Sequence, residues 1–176
     1  MTRTYAPLLF VALLAAGILA SEAVAERQQE VAQRGPDVMP FSLAATTHVF
    51  TKTADGGVQQ VVTKHHNPEQ VALIRQHLAM IAQQFSAGDF QGPEHIHGKD
   101  MPGLASLRAA KPGELTIHYR DLPNGGEITY RTDQARLVAA LHQWFDAQLT
   151  DHGHDAMAGH GPDMMHHHDA GSPTPE

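Results

Sequence analysis

Two turn signals of the same kind divide this chain, and each sits between runs rich in β-branched and aromatic residues. The first is Asp55-Gly56-Gly57, between Thr46-Thr47-His48-Val49-Phe50-Thr51 and the run from Val58 to Thr63. The second is Pro123-Asn124-Gly125-Gly126, between alternating Leu115, Ile117 and Tyr119 on one side and Ile128 and Tyr130 on the other. Glycine after Asp or Asn supplies the backbone freedom of a tight turn, so both segments read as β-hairpins. A helical pattern follows each. Asn67-Pro68-Glu69 opens one in which Val71, Ile74, Leu78, Ile81 and Phe85 recur at steps of three and four, and Ser86-Ala87-Gly88 ends it. Asp133 is placed to cap the other, whose stripe includes Leu137, Val138, Leu141, Trp144, Phe145 and Leu149. The order predicts an α+β fold (ββαββα): two β-hairpins forming a four-stranded antiparallel sheet, with two helices on one face. An internal duplication and the chance likeness of two common units explain the repeated order equally well.

The ends of the chain read differently. Arg3, an apolar stretch from Leu8 to Ala20 and the small residues Ala23-Val24-Ala25 make residues 1–25 a secretory signal peptide, too short in its apolar run to serve as an anchor. Export predicts a periplasmic or secreted protein with no membrane span after cleavage. Residues 26–43 are polar and are expected to form a mobile lead, residues 44–150 the α+β domain, and residues 151–176 a disordered tail. Within the domain, the stretch from Asp89 to Gly113 carries four glycines and three prolines without a period, and reads as one long loop.

Charge and cysteine content narrow the function. The chain has 12 Lys and Arg against 19 Asp and Glu, a net charge of −7, which leaves no electrostatic footprint for nucleic acid. With no cysteine, thiolate zinc sites, iron–sulfur clusters and covalent haem are excluded, and a metal must be held by His, Met, carboxylate or backbone oxygen. No His-Glu-x-x-His, Gly-x-Ser-x-Gly or phosphate-binding loop occurs.

Histidine is the distinctive residue. Six of the 14 histidines (His152, His154, His160, His166, His167 and His168) lie in the last 26 residues, interleaved with Met157, Met164 and Met165. Imidazole suits Cu(II), Ni(II) and Zn(II), and thioether selects Cu(I), so the mixture points to copper before zinc or nickel. A second candidate lies in the long loop, where Glu94-His95-Ile96-His97 and Asp100-Met101 offer two imidazoles and a thioether. In extended backbone His95 and His97 share a face, which makes half of a metal site, with His48 as a further ligand. His48 and His118 are expected on strand faces opposite the main apolar set, within reach of each other if the two hairpins are neighbours. His77 and His142 are expected to flank the two helical stripes.

The stretches Val38-Met39-Pro40-Phe41, Thr46-Thr47-His48-Val49-Phe50, Ile96-His97-Gly98, Asp100-Met101-Pro102-Gly103-Leu104 and Trp144-Phe145-Asp146-Ala147-Gln148-Leu149, with Asp151-His152-Gly153 after them, resemble a family of small exported proteobacterial proteins. Many of its members carry the label aspartate carbamoyltransferase. That activity needs a far longer chain and a Ser-Thr-Arg-Thr anion loop, whereas the sole Thr-Arg-Thr here is Thr2-Arg3-Thr4 in the signal segment. The expectation is therefore a metal-binding protein that buffers, delivers or confers tolerance to copper, with the metal ion and a second periplasmic protein as partners. A structural or protein-interaction module of the cell envelope is the rival, and a metal-dependent hydrolase using His95 and His97 a third possibility.

Overall fold

The computed structural model describes residues 8–160, with side chains from residue 21 onward. Both hairpins form. β1 (Thr46–Thr53) pairs with β2 (Gly56–Thr63), and β3 (Thr116–Leu122) with β4 (Gly125–Arg131), each through a two-residue connection. The helix expected after the first hairpin is α2 (Pro68–Ser86). The Asn67 side chain accepts from the backbone N–H of Gln70, and proline occupies the first turn, where its missing donor costs nothing. The helix after the second hairpin is α5 (Ala135–His152). Asp133 does not cap it: Gln134 is the boundary residue, and Thr132 Oγ1 accepts its N–H.

The class is α+β, but the sheet has five strands in the order β3-β4-β2-β1-β5 and is mixed. The fifth strand, β5 (Ala156–Ala158), runs parallel to β1 opposite His48 to Phe50. It lies in the segment expected to be disordered, so the ordered domain extends past residue 150. The expected mobile lead is structured as well. Helix α1 (Leu8–Arg34) runs through it, Val31 is buried, and Met39 and Phe41 join the core. The expected loop holds two short helices, α3 (Gln91–His97) and α4 (Leu104–Arg108). Gly103 makes the second possible. Its φ is +78°, and a Cβ there would stand 1.9 Å from the carbonyl oxygen of Ala140, so only glycine lets α4 start against α5. Among the described residues, no helix is long and apolar enough to cross a membrane.

Packing follows a crossed pattern. Each helix covers the hairpin of the other unit, with α2 on β3 and β4 and α5 on β1 and β2. The second glycine of each turn permits this. A Cβ on Gly57 would lie 2.5 Å from the Phe145 ring, and one on Gly126 3.0 Å from Leu78 Cδ1. Because β2 and β4 pair from Gly56↔Arg131 to Val62↔Gly125, the register is symmetric: Gly56 and Gly57 stand where Gly125 and Gly126 stand in the other unit. By the same register His48 corresponds to Ile117 and Gln59 to Ile128. On the helices Leu78 corresponds to Phe145, which matches His77 with Trp144, Ile81 with Gln148, and Phe85 with His152. One face of the sheet, carrying Phe50, Val61, Ile128 and Tyr130, meets Ile74, Leu78, Leu141, Trp144 and Phe145 to form the core.

Candidate functional site

At one end of this core the packing turns polar. His48 from β1, His77 from α2, His97 from α3 and His152 from α5 line a cavity of about 50 Å³, together with Gln148, Met39, Phe41 and Trp144. The His48 and His152 rings stack, with centroids 4.8 Å apart and planes at 9°; His97 meets His152 edge to face at 5.0 Å. Phe41 lies against two of the rings, 5.9 Å from His48 and 5.6 Å from His77. His48, His77 and His97 are between 3% and 5% exposed, so water does not serve them from outside.

Four buried polar atoms of this wall, His48 Nδ1, His77 Nδ1, Trp144 Nε1 and Gln148 Oε1, have no hydrogen-bond partner among the described residues. An unmet buried donor or acceptor costs about 1–3 kcal/mol, so four around one cavity represent an expense that packing alone does not explain. At two of the four, the symmetric position of the other unit is apolar, Ile117 for His48 and Ile81 for Gln148, whereas His77 and Trp144, both unmet, correspond to each other.

Burial sets the charge of these rings. It lowers the pKa of His48 to about 4, with the nearby Asp155 backbone opposing and His77 and His97 reinforcing the fall. It lowers that of His77 to about 4 and holds that of His152 well below its usual value, His48 and His97 adding to the effect on His152. All three are neutral at physiological pH, the state that can donate a lone pair to a metal.

His97 is held differently. Its Nδ1 lies 2.8 Å from Asp151 Oδ2, and Asp151 in turn takes a two-pronged contact from Arg27, at 3.0 Å from Nε and 2.8 Å from Nη2. Arg27 also donates to the His97 carbonyl. Burial works to raise the Asp151 pKa, but the bonds from His97 and Arg27 outweigh it and leave the carboxylate at about 2. Since Asp151 stays ionised and accepts only, Nδ1 of His97 carries a proton, and in the neutral ring Nε2 is the nitrogen with the lone pair. Outside this layer lies an open groove of about 640 Å³, walled by Arg27, His97, Asp100, Met101, Asp146 and Asp151.

The expected site residues are thus partly brought together. His48, His97 and His152 meet, but His95 does not join them. Residues 91–97 are helical, and two positions apart on a helix is about 200° around the axis, so His95 is exposed beside Asp37 (3.1 Å). Met101 is buried in the core and reaches the outer groove, not the cavity. His48 faces the apolar side of the sheet, and His118 lies exposed on the other side of a strand three places away, so the two do not approach. His142 bonds the carbonyls of Thr53 and Gly56 beneath the first turn. His154 and His160 are exposed, and Met164, Met165, His166, His167 and His168 lie outside the described residues.

Four participants had been misplaced: His77 beside its helical stripe, Asp151 and His152 in the tail, and Arg27 in the lead. The signal for two of them was present. His77 falls between Ile74 and Ile81 at steps of three and four, and Leu141, Phe145, Gln148 and His152 continue the α5 stripe at the same spacing.

Among the described residues, no three His, Asp or Glu side chains are arranged to hold a metal ion. Comparison with protein-family models, curated proteins and solved structures finds no match, and function must be read from the cavity itself.

Proposed function

We propose that this chain is an exported protein that binds a transition metal ion in the histidine cavity, copper ahead of zinc or nickel, and buffers or delivers it in the cell envelope. The reading is supported above all by the unmet polar atoms that His48, His77 and Gln148 turn on one small cavity. Imidazole donors suit Cu(II), Zn(II) and Ni(II), and the thioether of Met39 on the same wall favours Cu(I). A ligand imidazole commonly has its second nitrogen on a carboxylate, as His97 has on Asp151. Loading requires the stacked His48 and His152 rings to separate. The tail histidines supply weaker capture sites.

The rival reading is favoured by the lack of a ready-made donor set. In it, a few water molecules, for which the cavity has room, bridge the unmet atoms, and the protein is a structural or interaction module. Calorimetric titration of the full chain with Zn(II), Cu(II) and, under reductant, Cu(I) separates the two. One tight site that is lost in a His48→Leu, His152→Leu double variant supports metal binding. A wild type whose binding equals that of a free peptide of residues 151–176 overturns it.

A further inference from the structure

The contact between Arg27, Asp151 and His97 joins two parts of the chain that the cavity itself does not need to join. Asp151 is 6% exposed on the last turn of α5, while Arg27 lies on α1, 124 residues earlier. The guanidinium uses its fork on both carboxylate oxygens and then reaches the His97 carbonyl, so a single side chain fixes the α3 backbone and the Asp151 carboxylate together. Gln28, the next residue, donates to the Thr150 carbonyl at 2.8 Å, close to the negative end of α5. Val31, one turn further along α1, is 1% exposed.

We infer that Arg27 and Asp151 are positioning residues that hold His97 as its Nδ1–H tautomer with Nε2 free for the cavity, so that occupancy of the site depends on docking of residues 26–34. The inference rests on the metal reading given above and names its regulation. Three features carry it. The fork contact leaves Asp151 no freedom to rotate away from His97. The Arg27 bond to the His97 carbonyl sets the height of the ring relative to α5. No other acidic residue is bonded to His97 among the described residues, so nothing replaces Asp151 if the clamp opens. Cleavage after Ala25 leaves the clamp whole, whereas loss of two more residues removes Arg27 and leaves Asp151 bonded to His97 alone.

The test uses the full chain, Asp151→Asn, Arg27→Gln and Arg27→Lys, with Zn(II) alone and Cu(II) alone as probes. Long-range ¹H–¹⁵N spectra of the metal-free histidine rings read the tautomer directly. The wild type is expected to show His97 as Nδ1–H. Asp151→Asn is expected to mix the tautomers and weaken both ions by about 10- to 100-fold, the usual effect of removing a carboxylate behind a ligand imidazole. Arg27→Gln should weaken binding while leaving the fold intact, because Arg27 is part-exposed, and Arg27→Lys should restore only part of the loss, since lysine cannot form the fork. A wild-type His97 in the Nε2–H form, or an Asp151→Asn protein with unchanged affinity and tautomer, overturns the inference. A wild type that binds neither ion defeats the metal reading instead, and the ring spectra of the metal-free protein still decide the clamp.

Discussion

Replacing His77 by leucine should stabilise the metal-free protein. The ring is buried, its Nδ1 is unmet among the described residues, and its neighbours Leu78, Ile81 and Phe41 are apolar. Leucine has a similar volume and no polar atom, so the substitution removes a desolvation cost of about 1–3 kcal/mol with little loss of packing. Near neutral pH this corresponds to a rise of about 2–12 °C in Tm, taking about 2–4 °C per kcal/mol for a chain of this size. Acid enlarges the gain. The unfolded ring titrates near 6.5 and the folded one at about 4, so between those values the folded chain binds fewer protons and wild-type stability falls with pH. At pH 5 that difference is about 2 kcal/mol, which the leucine variant does not lose. Thermal unfolding of the metal-free proteins at pH 7 and pH 5 is the assay. Destabilisation at both values would mean that His77 has a partner in the cavity and that the cost assigned to its unmet nitrogen is wrong.

Other outcomes follow from the same contacts. Gly57→Ala should destabilise by about 1–3 kcal/mol, read by urea unfolding, because its Cβ would meet the Phe145 ring at 2.5 Å and the Thr51 carbonyl at 2.9 Å. Phe90→Ala should cost about 3–5 kcal/mol, since this ring stacks on Phe85 at 4.5 Å and stands edge-on to Trp144, although it lies in a stretch that reads as loop. Wild-type stability, followed by circular dichroism, should fall steeply from pH 6.5 toward 4, as His48 and His77 must each take up a proton that burial resists. His95→Ala should leave metal affinity unchanged and lower stability by no more than about 1 kcal/mol, the most an exposed pair with Asp37 contributes.

What could be read in the sequence was whatever period and turn chemistry encode. The two Gly-Gly turns, the Asn67-Pro68 helix start and the apolar stripes of α2 and α5 lie where local patterning puts them. Beyond them, pattern failed for identifiable reasons. α3 and α4 are too short to show a helical period, and Pro93, which argues for a loop, is tolerated in the first turn of α3. β5 has three residues and gains its place by pairing with β1, a long-range contact. The site suffered most from polar residues on apolar stripes. His77, Gln148 and His152 keep the helical spacing of the core, but counting only hydrophobic residues passed over His77 and Gln148 and stopped short of His152. Arg27 was beyond reach, because its importance comes from a partner at the other end of the chain.

The central claim is that the core histidines, rather than the tail, form the principal metal site. Ring ¹⁵N spectra of the full chain during addition of Zn(II) test it most directly, because every histidine reports separately. The first equivalent should shift the ring nitrogens of His48, His97 and His152 together while His154 and His160 stay unmoved. A first equivalent that shifts only the exposed histidines, or none, would contradict the account.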